Sequence, residues 1–202
     1  MQTNTRQNRV RKLTVTAMLA AIASILIFLA FPVGFAPSFL KLDFSEVPVL
    51  IGTFAYGPIA GVAIELVKAF VNLILNDSGT GGVGELAMFL IGSSFALTAG
   101  FIYKFKKTLS GAILAMAAGT IVMVLAGCLL NVYVLLPAYG AAFHLQMNDF
   151  IDMGKAVNNH INTLFRLVLL AIAPFNLLKG VVVSVITGFL YKRISPVMHK
   201  GM

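Results

Sequence analysis

The sequence predicts an all-α integral membrane protein, a single membrane domain of six transmembrane helices over residues 1–202. Hydrophobic residues make up 59% of the chain and charged residues 11%, so too few polar residues remain to cover a globule in water. Its apolar runs are long enough to cross a hydrocarbon core of roughly 30 Å. The net charge of +8 comes from short basic clusters beside these runs, which is typical of membrane topology and not of nucleic-acid binding.

The first membrane helix is predicted at about 13–31, and an outer loop follows at 32–46. Four basic residues between positions 6 and 12 precede the apolar run, and no small-residue cleavage site clearly follows it. We therefore expect a retained helix with its amino terminus in the cytoplasm. The loop is rich in aromatic residues, which need a surface to pack on, either the helix ends or a ligand. Asp43 or Ser45 is expected to cap the next helix.

Ala17 and Ala21 lie one turn apart in this first helix. Small residues at positions i and i+4 let another helix approach closely in lipid. The spacing alone leaves two interpretations open, which are packing inside the bundle and contact with a partner protein.

The topology of the rest depends on an apolar run from 47 to 75 that contains the dipeptide Gly57-Pro58. As one helix this run would be roughly 44 Å long, well beyond the hydrocarbon core. Proline has no N–H for the helical ladder and disfavours helix at the residue before it. The sequence therefore predicts two segments, a short one at 47–56 and a longer one at 58–75. This break also places the lysines at 104–107 on the cytoplasmic side, as the positive-inside bias requires.

The remaining helices are predicted at about 84–103, 110–136 and 162–191, with outer loops at 76–83 and 137–161 and a cytoplasmic carboxy terminus. Pro137 is expected to end the fifth helix and Pro174 to kink the sixth. The acids and histidines of the last outer loop have no recognised metal-ligand spacing, so no metal site is predicted.

Glu65, Lys68 and Asn72 share one face of the third segment, because they stand at i, i+3 and i+7. Ionisable groups in hydrocarbon are costly unless they are paired or face the bundle interior. The spacing favours a structural ion pair between Glu65 and Lys68, with direct ligand contact as the alternative.

Four polar side chains are expected toward the outer half of the bundle: Glu85, Asn131, Asn176 and Lys179. They offer a carboxylate acceptor, two amides and one cation, which suit a neutral or weakly acidic small molecule rich in hydrogen-bonding groups. For Glu85, capping of the fourth helix is an equal alternative. The run from Gly79 to Gly84 matches GxGxxG, but an apolar helix precedes it where a dinucleotide site needs a strand. The sequence contains no HExxH, GxxxxGK[ST] or Ser/His/Asp arrangement.

The motifs DFSEVP at 43–48, GPxxGxxxExxK at 57–68, GVGELAMFLIG at 82–92 and NxxK at 176–179, with AxxxA at 17–21, carry a family resemblance. The chain resembles the substrate-binding subunits of energy-coupling factor transporters, most closely those that bind riboflavin. The likeness covers nearly the whole chain except the loop at 138–161.

The resemblance implies a multi-pass protein of the bacterial cell membrane that binds riboflavin from outside and carries no cofactor. It also implies a scaffold subunit, EcfT, and two ATPase subunits as partners, with release by toppling of the subunit in the bilayer. By this analogy Ala17 and Ala21 contact EcfT, and the loop around Leu42, Asp43 and Phe44 closes over the vitamin. The residues expected to hold its polar groups are Glu85, Asn131, Asn176 and Lys179.

Three alternatives remain open at this stage. The subunit could bind thiamin, biotin, folate or pantothenate, because related subunits share the fold and the alanine motif. A small membrane enzyme acting on a lipid-linked substrate would need a carboxylate cluster on one face. The candidates for such a cluster are Asp43, Glu46, Asp77, Glu85, Asp149 and Asp152. A purely structural membrane scaffold would need none of these residues for ligand binding.

Overall fold

The structure is a computed structural model that describes residues 2–75 and 81–199, and it is a bundle of α-helices. The helices are α1 (Gln2–Ile27), α2 (Glu46–Tyr56), α3 (Pro58–Leu75), α4 (Val83–Phe105), α5 (Leu109–Leu130), α6 (Leu136–Phe143), α7 (Met147–Lys155), α8 (Leu164–Leu167) and α9 (Ala173–His199). Two π-helical segments, Asn131–Leu135 and Val168–Ile172, join α5 to α6 and α8 to α9. In the first outer loop the two-residue strands β1 (Phe31–Pro32) and β2 (Lys41–Leu42) pair antiparallel. Most of the predicted outer loop 76–83 lies outside the described residues.

The predicted all-α membrane bundle is confirmed. In the described part of the chain, five helical stretches are long and apolar enough to cross a membrane: Arg6–Ile27, Pro58–Leu75, Val83–Phe105, Leu109–Phe143 and Leu164–Tyr191. The sixth predicted segment corresponds to α2, whose 11 residues rise only about 16 Å as a helix. It therefore reaches only part of the way across the hydrocarbon core.

The chain reverses direction between α2 and α3, at the predicted break. Gly57 has a φ of 94°, a backbone conformation that L side chains rarely adopt, and its N–H donates to the Thr53 carbonyl at 2.8 Å. Pro58 then begins α3, where its missing N–H costs nothing. Residues equally far from the break on the two helices meet, as Glu46 and Lys68 do at 2.9 Å. The two helices therefore pack antiparallel.

Helix α3 turns its polar face inward and its apolar face outward, the reverse of a helix on a water-soluble protein. Lys68 and Glu65 are 0% exposed, whereas Phe70 is 61% exposed and Leu66 56%. Ionisable side chains avoid hydrocarbon by facing the bundle interior, and large apolar side chains face lipid at little cost. This inversion is the packing expected of a helix that spans a membrane.

Pro137 does not end the fifth membrane helix, which runs on to Phe143. In both π segments the chain makes one wider turn just before a proline, and the N–H groups of Leu136 and Ala173 donate to carbonyls five residues back. The wider turn relieves the clash between a proline ring and the preceding turn of helix, so the chain continues past both Pro137 and Pro174. Other boundaries also differ from the prediction, since α1 begins at Gln2 and ends at Ile27, and the last helix extends to His199.

The bundle has two chemically different ends. At one end the Tyr103 and Tyr191 hydroxyls are hydrogen-bonded at 2.6 Å, and the Phe54 ring lies 4.6 Å from that of Tyr103. This end carries the lysines that follow α4, so the positive-inside bias assigns it to the cytoplasm. At the opposite end, where α1 finishes at Ile27, the helices surround a cavity. The cavity therefore opens toward the outside of the cell.

Candidate ligand-binding site

The cavity has a volume of about 560 Å³, within the range of pockets that enclose a drug-sized ligand. Its polar lining comes from the first outer loop and from five helical segments. The buried polar residues of the lining are Asp43, Glu46, Asn72, Glu85, Asn131, Asn176 and Lys179. Five of them, namely Asp43, Glu85, Asn131, Asn176 and Lys179, are residues that the sequence predicts to hold a ligand.

A chain of buried charges forms the inner wall of this cavity. Lys179 Nζ lies 2.8 Å from Asp43 Oδ2 and 3.7 Å from Glu46 Oε1. The same Glu46 oxygen accepts from Lys68 Nζ at 2.9 Å, and Lys68 lies 2.8 Å from Glu65 Oε2. The network joins the outer loop to α2, α3 and α9. Because each ammonium has at least two carboxylate neighbours, no cation in this network is left without a countercharge.

Asp43 anchors the outer loop to the helices. Its Oδ1 accepts from the Ser45 N–H at 2.8 Å and from the Ser45 hydroxyl, so it satisfies one of the free N–H groups at the start of α2. Burial alone would raise the pKa of Asp43, but Lys179, then Lys68, and hydrogen bonds lower it to about 2. Asp43 is therefore ionised at physiological pH and holds Lys179 as a cation.

Two asparagines, Asn131 in the first π segment and Asn176 on α9, have the same local hydrogen bonding. Asn131 Nδ2 donates to the Gly127 carbonyl at 2.7 Å, and Asn176 Nδ2 donates to the Ile172 carbonyl at 2.9 Å. Each bond runs back one turn along the chain and fixes the amide, and both side chains line the cavity. A carboxamide has two N–H donors and an oxygen acceptor, so each one keeps a donor and an acceptor for a ligand. A Cβ on Gly127 would lie 2.7 Å from Asn176 Nδ2, so glycine is needed there.

Glu85 and Asn72 add a second buried polar contact to the cavity lining. Asn72 Nδ2 on α3 donates to Glu85 Oε1 at 2.8 Å, and both side chains are buried. Glu85 lies in the first turn of α4, which begins at Val83, and the residue before it, Gly82, supplies no side-chain cap. The free N–H groups of that turn favour a carboxylate, so helix capping and ligand contact are compatible roles.

Aromatic side chains close the outer side of the cavity. The Phe39 ring, from the first outer loop, lies 6.5 Å from that of Tyr139 on α6 and 6.2 Å from that of Phe150 on α7. All three residues line the cavity. The segment at 138–161, which the family resemblance did not cover, is thus part of the site. Its aromatic faces and Met153 suit a flat apolar ring system.

Leu42 and Phe44, which the resemblance implies as ligand contacts, do not line the cavity. Leu42 packs with Ala36 and Phe175, and the Phe44 ring lies 6.2 Å from that of Phe31. They shape the loop that carries Asp43 between them. Sequence reasoning did not assign Glu46 to the site, although it is the second of the two acids in the quoted DFSEVP motif. The sequence analysis placed Asn72 on the same helix face as Lys68 but assigned it no separate role.

Ala17 and Ala21 are exposed on the outside of α1, whereas Ala20, Ala23 and Ser24 are buried against the bundle. The pair therefore does not serve internal packing.

Among residues 2–75 and 81–199, no three side chains of the kinds that bind metals lie close enough together to hold an ion.

Comparison with known proteins places this arrangement in a family. The family model described as "ECF transporter, substrate-specific component" matches residues 11–191. The chain belongs to this family. A solved structure, described as "Structure and mechanism of the S component of a bacterial ECF transporter", matches this S component with a TM-score of 0.76 and 38% identity, covering 94% of this chain and 98% of that one.

Two curated relatives are similar over nearly their whole length. The "Riboflavin transporter RibU" of Staphylococcus aureus (strain TCH60) is 40% identical over 192 residues, 95% of this chain and 93% of the relative. The "Riboflavin transporter FmnP" of Bacillus subtilis (strain 168) is 34% identical over 189 residues, 93% of this chain and 94% of the relative. This S component is therefore a multi-pass transport subunit of the bacterial membrane and not an enzyme.

Proposed function

We propose that this S component captures riboflavin at the outer face of the cell membrane and delivers it to the cytoplasm. The observation that carries the proposal is the outward cavity, a space of drug-ligand size whose lining includes the side chains of Glu85, Asn131, Asn176 and Lys179. Two relatives that share at least 34% of their residues with this chain bear the name riboflavin transporter.

The chemistry of the lining fits each part of riboflavin. The uracil-like edge of the flavin presents an N–H donor between two carbonyl acceptors, and Asn131 and Asn176 each offer a donor and an acceptor. The ribityl chain carries hydroxyls, which donate well to a carboxylate such as Glu85. The flat ring system matches the apolar and aromatic wall that includes Phe39 and Tyr139.

Delivery requires partners, since the sequence contains no ATP-binding motif of its own. The proposed partners are the scaffold subunit EcfT and two ATPase subunits, with release by toppling of the subunit in the bilayer. Ala17 and Ala21 support a contact with EcfT, because they form an exposed strip of small residues on α1 where another helix can approach closely.

The binding step is tested by titrating riboflavin into the protein, purified in mild detergent, and following flavin fluorescence. We expect quenching that saturates near one flavin per chain. Asn176→Ala and Lys179→Met should each weaken binding by about tenfold or more, since each removes a hydrogen-bonding partner inside the cavity. Asp152→Asn, an exposed acid on α7, is the control and should bind as the wild type does.

Two outcomes would count against this assignment. A folded protein that quenches no flavin would remove riboflavin as the substrate, and titrations with thiamin, biotin, folate and pantothenate would then identify the vitamin. Binding that is unchanged in both variants would place the ligand outside this cavity.

The docking step is tested separately by co-purification with EcfT and the ATPases. Ala21→Trp should lose the partners while riboflavin binding stays unchanged, because the residue faces away from the bundle. Ile121→Trp is the matched control, as Ile121 is 61% exposed on a different helix, α5. If Ala21→Trp retained its partners, α1 would not be the docking helix.

A further inference from the structure

The cytoplasmic end of α1 carries four basic side chains that no acidic group of the described chain neutralises. They are Arg6, Arg9, Arg11 and Lys12. All four are exposed, and they stand on regular helix, because α1 already begins at Gln2. Within residues 2–75 and 81–199, no ion pair involves any of them. Their charge is therefore left for a partner outside the chain.

These four cations surround the helix and form what we call the basic ring. Successive residues of an α-helix are turned by about 100°, so Arg6, Arg9 and Lys12 follow one another at intervals of about 60°. Arg11 lies about 160° from Arg9, on the opposite side of the helix. A folded protein partner would contact one face of α1 only. Charge on all sides instead suits a layer of anionic groups that encloses the helix.

The basic ring lies at the depth of the lipid head groups. The apolar part of α1 starts at Leu13, directly after Lys12. Leu13 is 64% exposed and Met18 59%, so this part of the helix faces lipid. At about 1.5 Å of rise per residue, Arg6 lies about 9 Å beyond Lys12 along the helix axis. The head-group region of one leaflet is about 5–8 Å thick, so the ring spans it.

The acidic side chains of the described chain lie away from this end. They belong to the outer loops, to the buried charge network and to the outer turn of α4. These residues are Asp43, Glu46, Glu65, Glu85, Asp149 and Asp152. Lys104 and Lys106, which follow α4, are exposed at the same end as the ring and add to its positive charge. The described part of the cytoplasmic end is therefore positive throughout.

From the charge, the ring geometry and the depth we infer that the basic ring of α1 binds anionic phospholipids of the inner leaflet, such as phosphatidylglycerol. Each Lys or Arg near an anionic membrane surface strengthens the attraction about fivefold. An arginine fork also donates two parallel hydrogen bonds to a phosphate. The positive-inside bias explains how such residues orient the chain during insertion, whereas lipid binding is a contact that the folded protein keeps. The inference does not depend on which vitamin the cavity binds.

The test places the whole chain in phosphatidylcholine vesicles that contain a trace of nitroxide-labelled phosphatidylglycerol or nitroxide-labelled phosphatidylcholine. The immobilised fraction of the label, measured by electron paramagnetic resonance, gives the relative association of the two lipids with the protein. We expect the wild type to prefer phosphatidylglycerol about threefold or more. The variant Arg6→Gln/Arg9→Gln/Arg11→Gln/Lys12→Gln should lose most of this preference. Both leaflets have the same composition, so the direction of insertion does not affect the result.

Two control variants separate charge from other effects. Arg6→Lys/Arg9→Lys/Arg11→Lys keeps the charge of the ring and should keep the preference. Lys155→Gln removes a cation from α7, where Asp149 and Asp152 outnumber it, and should leave the preference unchanged. All variants should melt within a few degrees of the wild type, because the substituted side chains are exposed.

Ionic strength gives an independent readout on the wild type. Raising the salt concentration from about 0.1 M to about 1 M shortens the Debye length from about 10 Å to about 3 Å. The preference for phosphatidylglycerol should therefore fall toward one in the wild type. It should change little in the glutamine variant, in which the ring is already neutral.

The inference is overturned if the wild type shows no preference, if its preference persists at high salt, or if the glutamine variant retains it. Loss of the preference in the lysine variant, or in Lys155→Gln, would overturn it as well. Co-purification with EcfT and the ATPases distinguishes a protein contact from a lipid contact. A glutamine variant that loses these partners but keeps the preference would show that the ring docks a protein and not lipid.

Discussion

Replacing Lys68 with methionine should destabilise this S component severely. Lys68 is 0% exposed and lies 2.9 Å from Glu46 and 2.8 Å from Glu65. Its loss leaves Glu65 without a cation and leaves Glu46 to share Lys179 with Asp43. Breaking a buried ion pair by removing one partner costs about 3–5 kcal/mol. For a chain of this size that corresponds to a drop in melting temperature of roughly 6–20 °C.

The assay is thermal unfolding in mild detergent with a thiol-reactive fluorescent dye, because Cys128 is partly buried and becomes fully accessible on unfolding. Lys155→Met is the control, since Lys155 is exposed on α7, and its melting temperature should stay within a few degrees of the wild type. Adding Glu65→Gln to Lys68→Met removes one uncompensated carboxylate and should recover part of the loss. A Lys68→Met protein as stable as the wild type would refute the buried charge network.

Three further predictions follow from the geometry. Gly127→Ala should weaken riboflavin binding about tenfold, because its Cβ would lie 2.7 Å from Asn176 Nδ2, whereas Gly34→Ala, in open space, should bind normally. Asp43 has a pKa of about 2, below the ordinary 3.8, so its carboxylate stabilises the folded state above pH 3.8 and this contribution is lost as pH falls through about 2. The melting-temperature loss in Asp43→Asn should therefore be larger at about pH 7 than at about pH 3. Tyr103→Phe removes a 2.6 Å hydrogen bond at the cytoplasmic end, and it should cost about 1 kcal/mol by thermal unfolding with riboflavin affinity unchanged.

The topology was predictable because it depends on strong local signals. A proline and a glycine in the middle of a long apolar run predict a break wherever they lie, and the structure reverses direction at Gly57 as expected. The end of the fifth helix was not predictable in the same way. Proline breaks a regular α-helix, but a single π turn before Pro137 lets the helix continue, and the sequence contains no local signal for that turn.

The polar half of the candidate site was predictable, and its apolar half was not. Asn131, Asn176 and Lys179 are rare polar residues in apolar helices, so they had to face the interior, and they line the cavity. Phe39 and Phe150 are aromatic residues in loops and a short helix, where nothing in the spacing separates a ligand contact from ordinary packing. Only the meeting of distant segments in three dimensions brings them to the cavity.

Glu46 shows the same limit for charged residues. Its position at the start of α2 was compatible with simple capping of a helix. Its role as the bridge between Lys68 and Lys179 depends on the antiparallel return of α3 and on the packing of α9. Such a tertiary contact has no signature in the spacing of the residues along the chain.

The most direct test of the proposed function is a structure determined with riboflavin bound. We predict density for the flavin inside the outward cavity, with its uracil-like edge within hydrogen-bonding distance of the Asn131 and Asn176 amides. The ribityl hydroxyls should lie near Glu85. Flavin density at any other place, or an empty cavity in a protein that retains the vitamin, would contradict the account.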